Sequence, residues 1–165
     1  MWNMAKDRGK DKTNAMRRLD ALGIEYGEYT YEGDGTMTGV EIATMLGQDP
    51  DQTFKTLVTV GRSGEHYVFM IPVAEELDLK KAAKAVSEKS IEMVKSKELL
   101  GLTGYIHGGC SPIGMKKLFR TTVHETAILF DTIIFSGGKI GYQIEIPLSA
   151  LEQVVPLTTA DVVKD

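Results

Sequence analysis

One cysteine, three histidines and five prolines in 165 residues set the first limits on this chain. A single thiol, Cys110, forms no intramolecular disulfide and no thiolate zinc site. His66, His107 and His124 are too scattered for the paired histidines of a helix-borne metal centre, so no metal and no other cofactor is expected. No apolar run approaches the roughly 20 residues that a membrane-spanning helix needs. Met1 to Asp11 also lacks the apolar core of a signal peptide. A cytoplasmic protein without a membrane partner is expected. Positive charge is not in excess: the formal net charge of −4 argues against a surface coated for bulk polyanion binding. The lysines are nevertheless clustered, which leaves room for a local basic rim.

What is present is the composition of one globular domain, 42% hydrophobic and 25% charged, with no internal repeat. Met1 to Lys12 reads as a flexible N-terminal arm, and residues 13–165 as a single domain. Thr13 is placed to cap a first helix that turns Ala15, Met16, Leu19 and Leu22 inward. Glu25 to Tyr31 reads as a strand. Thr38-Gly39-Val40-Glu41 is a capping box opening a helix to Leu46. Thr53 to Val60 and His66 to Val73 form a hairpin across Gly61-Arg62-Ser63-Gly64, the second strand apolar enough to lie in mid-sheet. Asp78 caps a third helix with Leu79, Ala82, Ala83 and Val86 inward and Lys80, Lys81 and Lys84 outward. Ile91 to Val94 reads as a short strand and Ser96 to Leu100 as a helical turn. Ile128 to Phe135 and Gly141 to Ile146 form a second hairpin, and Ser149 caps a last helix to Val154. The fold class is α+β, a mixed and largely antiparallel sheet with helices outside.

Thr103 to Lys117 holds four glycines and a proline, too many for a helix and poor for a strand. Gly108-Gly109 lets a ligand approach the main chain, and Ser111-Pro112 fixes the exit of the loop. Such a loop offers N–H donors around a small concavity, with Lys116-Lys117 at its rim. A tight structural turn explains the same composition. Lys55, within a β-branched strand, either guards a solvated edge or places an ammonium in a cleft. Cys110 is flanked by glycine but has only His107 nearby as a base, so a small side chain that happens to be cysteine explains it as well. Tyr31 and Tyr105 stand next to glycines, where they can line a ligand pocket or simply pack a sheet. Ser136-Gly137-Gly138-Lys139 lacks the spacing of a phosphate loop and joins two strands.

Three motifs occur together and in order: Phe54-Lys55-Thr56-Leu57; Thr103-Gly104-Tyr105 with Gly108-Gly109-x-Ser111-Pro112-x-Gly114-x-Lys116-Lys117; and Ser136-Gly137-Gly138-Lys139-x-Gly141. In these the chain, from about Thr13 to about Asp161, resembles the YbaK/EbsC family of aminoacyl-tRNA deacylases, the Cys-tRNA(Pro) deacylases in particular. The resemblance implies a curled sheet or partial barrel. It implies a free-standing enzyme that removes cysteine from tRNA(Pro), with a prolyl-tRNA synthetase as a candidate partner. Lys55 is then the essential lysine. Tyr31, Tyr105, Gly108, Gly109, Cys110, Ser111, Pro112 and Gln143 line the aminoacyl pocket, and Lys116, Lys117 and Lys139 form a tRNA rim. No metal and no protein nucleophile are implied, since the substrate's own thiol attacks its ester carbonyl. The chain departs from the family at Gln143, where close members often carry Asp. Glu145 or Asp131 are the carboxylates available to replace it. That departure keeps open an enzyme acting on alanine or another small residue. A non-catalytic module binding tRNA or a synthetase is the remaining alternative.

Overall fold

The structure, a computed structural model, describes residues 12–165; the N-terminal arm lies, apart from Lys12, outside the described residues. The chain runs α1 (Asn14–Ala21), β1 (Gly27–Thr30), α2 (Gly39–Met45), β2 (Phe54–Gly61), β3 (His66–Pro72), α3 (Leu79–Ala85) and β4 (Ile91–Met93). It continues through α4 (Ser96–Thr103), β5 (Arg120–His124), a 3₁₀ turn (Glu125–Leu129), β6 (Ile133–Ser136), β7 (Tyr142–Ile146), α5 (Leu148–Glu152) and β8 (Leu157–Ala160). The strands form two sheets, one ordered β4-β2-β3-β5-β8 and one ordered β1-β7-β6. The small sheet is antiparallel throughout. In the large one β2 pairs antiparallel with β3 and β4, whereas β3, β5 and β8 run parallel. A single parallel bridge, Thr53 to Ile134, joins the sheets, which do not close into a barrel.

The apolar run of β3 follows from its central place. Val68 and Met70 enter the main core with Met16, Phe54, Phe135 and Ile144. Tyr67, Phe69 and Ile71 enter a second cluster beneath Ala82, Ala83 and Val86 of the α3 region. A strand covered on both faces has no need of polar alternation. The expected caps are formed: Thr13 accepts from the Met16 N–H, Thr38 and Glu41 make the reciprocal capping box, and Asp78 accepts from the Lys80 and Lys81 N–H groups.

Several expectations are corrected. Leu22 and Leu79 are exposed, because each sits at a helix end that turns away from its core. The turn from Ser96 continues to Thr103, where Gly104 ends it with a φ of 87°, a left-handed value natural to glycine. Ile128 and Leu129 are exposed members of the 3₁₀ turn, so β6 begins only at Ile133. Ser149 lies inside α5, whose cap position is Pro147. The parallel strands β5 and β8 lie outside the expected elements; their threonines hide them in a count of apolar residues.

Candidate active site

The two sheets leave a gap at their junction, and the gap is the site. β4 pairs only with Thr59 to Gly61 of β2, and β6 touches the strand only at Thr53. Between these points the outer edge of β2 has no partner strand among the described residues. Main-chain groups alternate along an antiparallel pair. The Val73 N–H bonds Thr53 O (2.9 Å) and the Gly61 N–H bonds Glu65 O (2.8 Å), so the odd-numbered residues face β3. The even-numbered ones face outward: Val58 O accepts from the Val94 N–H and Gln52 O from the Ile134 N–H. The Thr56 N–H and C=O therefore point into the gap.

That gap is a cleft of about 460 Å³. Phe54 to Val58 form one wall, and Tyr31 with the segment around Gly33 to Gly39 another. Ser96 and Leu99 of α4, His107, Gly108 and Cys110, and Ser136, Tyr142 and Gln143 complete it. Lys55 is half-buried there and has no hydrogen-bond or ion-pair partner among the described residues. Burial lowers its pKa below the usual lysine value, and the more distant Glu76 and Glu75 offset part of that shift. Among the described residues that line the cleft no carboxylate appears, and Lys55 is the one lysine there. Such a site suits a carbonyl oxygen gaining charge, or a phosphate. The Thr56 hydroxyl is buried without a partner among the described residues. The open peptide of this strand edge can receive polar ligand atoms.

Cys110 borders the cleft, but burial pushes its thiol up to about 12, and the Thr103 hydroxyl lowers it only in part. At neutral pH it is a neutral thiol and a poor nucleophile. Gly109, Ser111 and Pro112 are buried behind the wall, with Ser111 Oγ accepting from the Ile113 N–H. Gly109 is glycine because a Cβ there meets Ile140 N at 2.9 Å and Lys139 C at 3.1 Å, both main-chain atoms. Tyr105 lies in the core rather than on the cleft, its hydroxyl donating to Ile113 O. Lys116, Lys117 and Lys139 are exposed away from the cleft lining. Lys139 Nζ sits 5.5 Å from the centre of the Tyr142 ring.

Gln143 is buried in the wall and receives a 2.6 Å hydrogen bond on Oε1 from Gln48 Nε2. Its own Nε2 has no partner among the described residues and is not sealed from solvent. The cleft thus meets an amide N–H₂ edge, a donor where a carboxylate would be an acceptor. Neither expected replacement reaches the cleft lining. Glu145 is paired opposite Gly27 and accepts from the Tyr29 and Thr132 hydroxyls, and Asp131 is exposed in the loop before β6. Thr56 and Ser136, which stand within the quoted motifs, and Gln48, which does not, belong to the site or its support without being expected site residues. An isolated glutamine has no local pattern, while Thr56 had a signal, being next to Lys55 in the first motif. No cluster of His, Cys, Asp or Glu able to hold a metal ion occurs among the described residues, and no helix there is long and apolar enough to cross a membrane.

A cleft between two sheets, with an unpaired lysine, an open strand edge and a glycine loop, defines an α+β domain with a small polar-ligand site. The chain belongs to the aminoacyl-tRNA editing domain family, whose profile matches residues 34–154. It is similar to the Enterococcus faecalis protein EbsC, provisionally named a Cys-tRNA(Pro)/Cys-tRNA(Cys) deacylase, at 46% identity over 94% of this chain and 93% of that one. A 77-residue stretch, 47% of this chain and 13% of the other, is 31% identical to a proline–tRNA ligase of Pelobacter propionicus. Among solved structures, one described as a candidate trans-editing enzyme for prolyl tRNA synthetase superposes with a TM-score of 0.82 at 22% identity, covering 99% of this chain and 100% of that one. That likeness bears on the fold.

Proposed function

We propose that this protein is a trans-editing deacylase that releases cysteine from mischarged tRNA(Pro). The observation that carries the reading is the unpaired ammonium of Lys55 beside the open peptide edge at Thr56, in a cleft whose only cysteine is an unactivated thiol. The chain supplies positioning and charge stabilisation and leaves the nucleophile to the substrate. In the reaction the cysteinyl sulfur bonds to its own ester carbonyl carbon and the carbon–oxygen bond to the ribose breaks. The thiol proton ends on the departing ribose hydroxyl, and water then opens the thiolactone. A well-oriented intramolecular attack of this kind has an effective molarity of roughly 10⁵–10⁸ M, so orientation replaces a protein base. Lys55 and the N–H donors of the cleft stabilise the oxyanion. Tyr31 and Gly108 bound the acyl pocket, and Tyr105, Gly109, Ser111 and Pro112 hold its wall from behind. Lys116, Lys117 and Lys139 meet the tRNA backbone outside it, and a prolyl-tRNA synthetase is the candidate partner.

The neutral Gln143 supports a second reading, a deacylase for alanine or another small residue, since no carboxylate grips the substrate ammonium. One experiment separates the two: single-turnover cleavage of cysteinyl-, seryl- and alanyl-tRNA(Pro) by the purified protein. Cysteinyl-tRNA is expected to be cleaved far faster than the other two, because its thiol is a far better nucleophile than the seryl hydroxyl and alanine has none. Equal rates for cysteine and alanine would transfer the assignment to the second reading, and no release from any of them would remove the deacylase reading.

A further inference from the structure

Beside the cleft lies a second, more open depression of about 390 Å³, continuous with it at Gly33. Its floor is apolar. Ile106 is half exposed there, beside Ile140, with the buried Tyr105 beneath. Ile140 also packs against the lip of the main cleft, lying 3.0 Å and 3.6 Å from where a Cβ would stand on Gly35 and Gly108. The depression and the cleft thus share a wall. Two charges of opposite sign border the floor, Asp34 and Lys139. Asp34 spends one carboxylate oxygen, Oδ1, on the Thr36 N–H (3.0 Å) and hydroxyl (2.6 Å), which leaves Oδ2 open. Those bonds also hold the carboxyl below its usual pKa, so the acceptor is ionised at neutral pH.

We propose that this depression is a nucleobase subsite for the cytosine that precedes the terminal adenosine of the tRNA acceptor end. The inference rests on the deacylase reading, which seats the aminoacyl ester and its ribose in the main cleft. Ile106 and Ile140 offer the face of a base an apolar surface to pack on. A carboxylate accepting from the exocyclic N4 amine of cytosine is an established pairing. A phosphate alone fits poorly, because the ionised Asp34 repels it. Uracil, with a carbonyl in place of the amine, meets Asp34 acceptor to acceptor.

The test compares wild type, Ile106→Ala and Asp34→Asn on two substrates, cysteinyl-adenosine and cysteinyl-tRNA(Pro), the tRNA carrying C or U at the penultimate position. For wild type, U is expected to lower kcat/KM on tRNA about tenfold, the scale of one lost base contact. Asp34→Asn keeps the acceptor for Thr36 and should shrink that C-to-U penalty. Ile106→Ala should lose about tenfold on tRNA and nothing on cysteinyl-adenosine. Equal losses on both substrates, or no C-to-U penalty in wild type, would overturn the subsite. A second readout needs no turnover: methyl resonances of Ile106 and Ile140 during titration with the dinucleotides CpA and UpA. Shifts of both methyls at lower CpA than UpA concentration support the subsite even if no substrate is cleaved; identical responses to the two dinucleotides refute it.

Discussion

Replacing Lys55 by methionine separates a functional lysine from a structural one. Position 55 pairs opposite Ile71, and its main-chain bonds to β3 do not depend on the side chain. The side chain is half-buried, has no partner among the described residues, and keeps an ammonium whose charged form is penalised by burial. Methionine keeps the stem length and removes that penalty, so the fold should become more stable by about 0 to 1 kcal/mol, or up to a few degrees in Tm for a chain of this size. The sign of the pH dependence follows from the lowered pKa. Between the folded value and the unfolded lysine value of about 10.4 the unfolded chain binds more protons, so wild-type stability rises with pH relative to Lys55→Met. The variant's advantage is full below the folded value and gone above the unfolded one. Deacylation should fall by roughly 10²-fold or more, the scale for losing one electrostatic contact to a developing charge. Urea denaturation at several pH values, paired with single-turnover deacylation, reads both quantities. A loss of more than about 1.5 kcal/mol of stability, or wild-type activity in a folded variant, would refute the reasoning and return Lys55 to the edge-guarding role.

Cys110→Ala should retain deacylation within about tenfold, and iodoacetamide should react slowly below about pH 10, because the thiol is held neutral until about 12; a thousandfold loss would make Cys110 the nucleophile. Gly109→Ala should cost about 1–3 kcal/mol in chemical denaturation, since its new Cβ meets main-chain atoms of Lys139 and Ile140 that have little room to yield. Gln48→Glu should turn the Gln143 amide over, because a carboxylate accepts where Gln48 donates. Oε1 then faces the cleft, and kcat/KM and its pH profile should change, whereas Gln48→Met should affect the rate less; identical profiles for all three proteins would dismiss Gln48 as a positioning residue.

The elements that the sequence reveals are those with a local code. Thr13, Thr38 and Asp78 announce their helices by capping chemistry, and the two hairpins announce themselves by glycine-bearing turns between apolar runs. β5 and β8 have no local code. Thr121 and Thr122 are buried because β3 and β8 flank them, a fact set by residues more than thirty positions away. The site divides in the same way. Lys55 stands out as a charge within a β-branched strand, and Gly108 and Cys110 as parts of a loop too glycine-rich for regular structure. Gln48 reaches Gln143 across 95 positions, and no pattern in either neighbourhood predicts it. The open peptide of Thr56 exists only because β4 stops at Thr59 and β6 touches at Thr53, a property of strand lengths rather than residue types.

The glycine loop borders the cleft for a reason other than the expected one. Its glycines suggested a main chain left bare for a ligand. Gly108, with a φ of 86°, does reach the cleft lining, but Gly109 faces the turn between β6 and β7. Tyr31 N–H bonds Gly141 O at 2.9 Å, and a Cβ on Gly141 would meet Tyr31 O at 2.8 Å. Three loops, around residues 31–35, 105–109 and 137–141, thus pack main chain to main chain at glycines. Side-chain changes at the lip leave this arrangement in place, whereas any Cβ at Gly109 or Gly141 pushes two loops apart. Because those loops bound both the acyl cleft and the neighbouring depression, such a substitution should move acyl and base recognition together, while Asp34 and Ile106 variants move only the second.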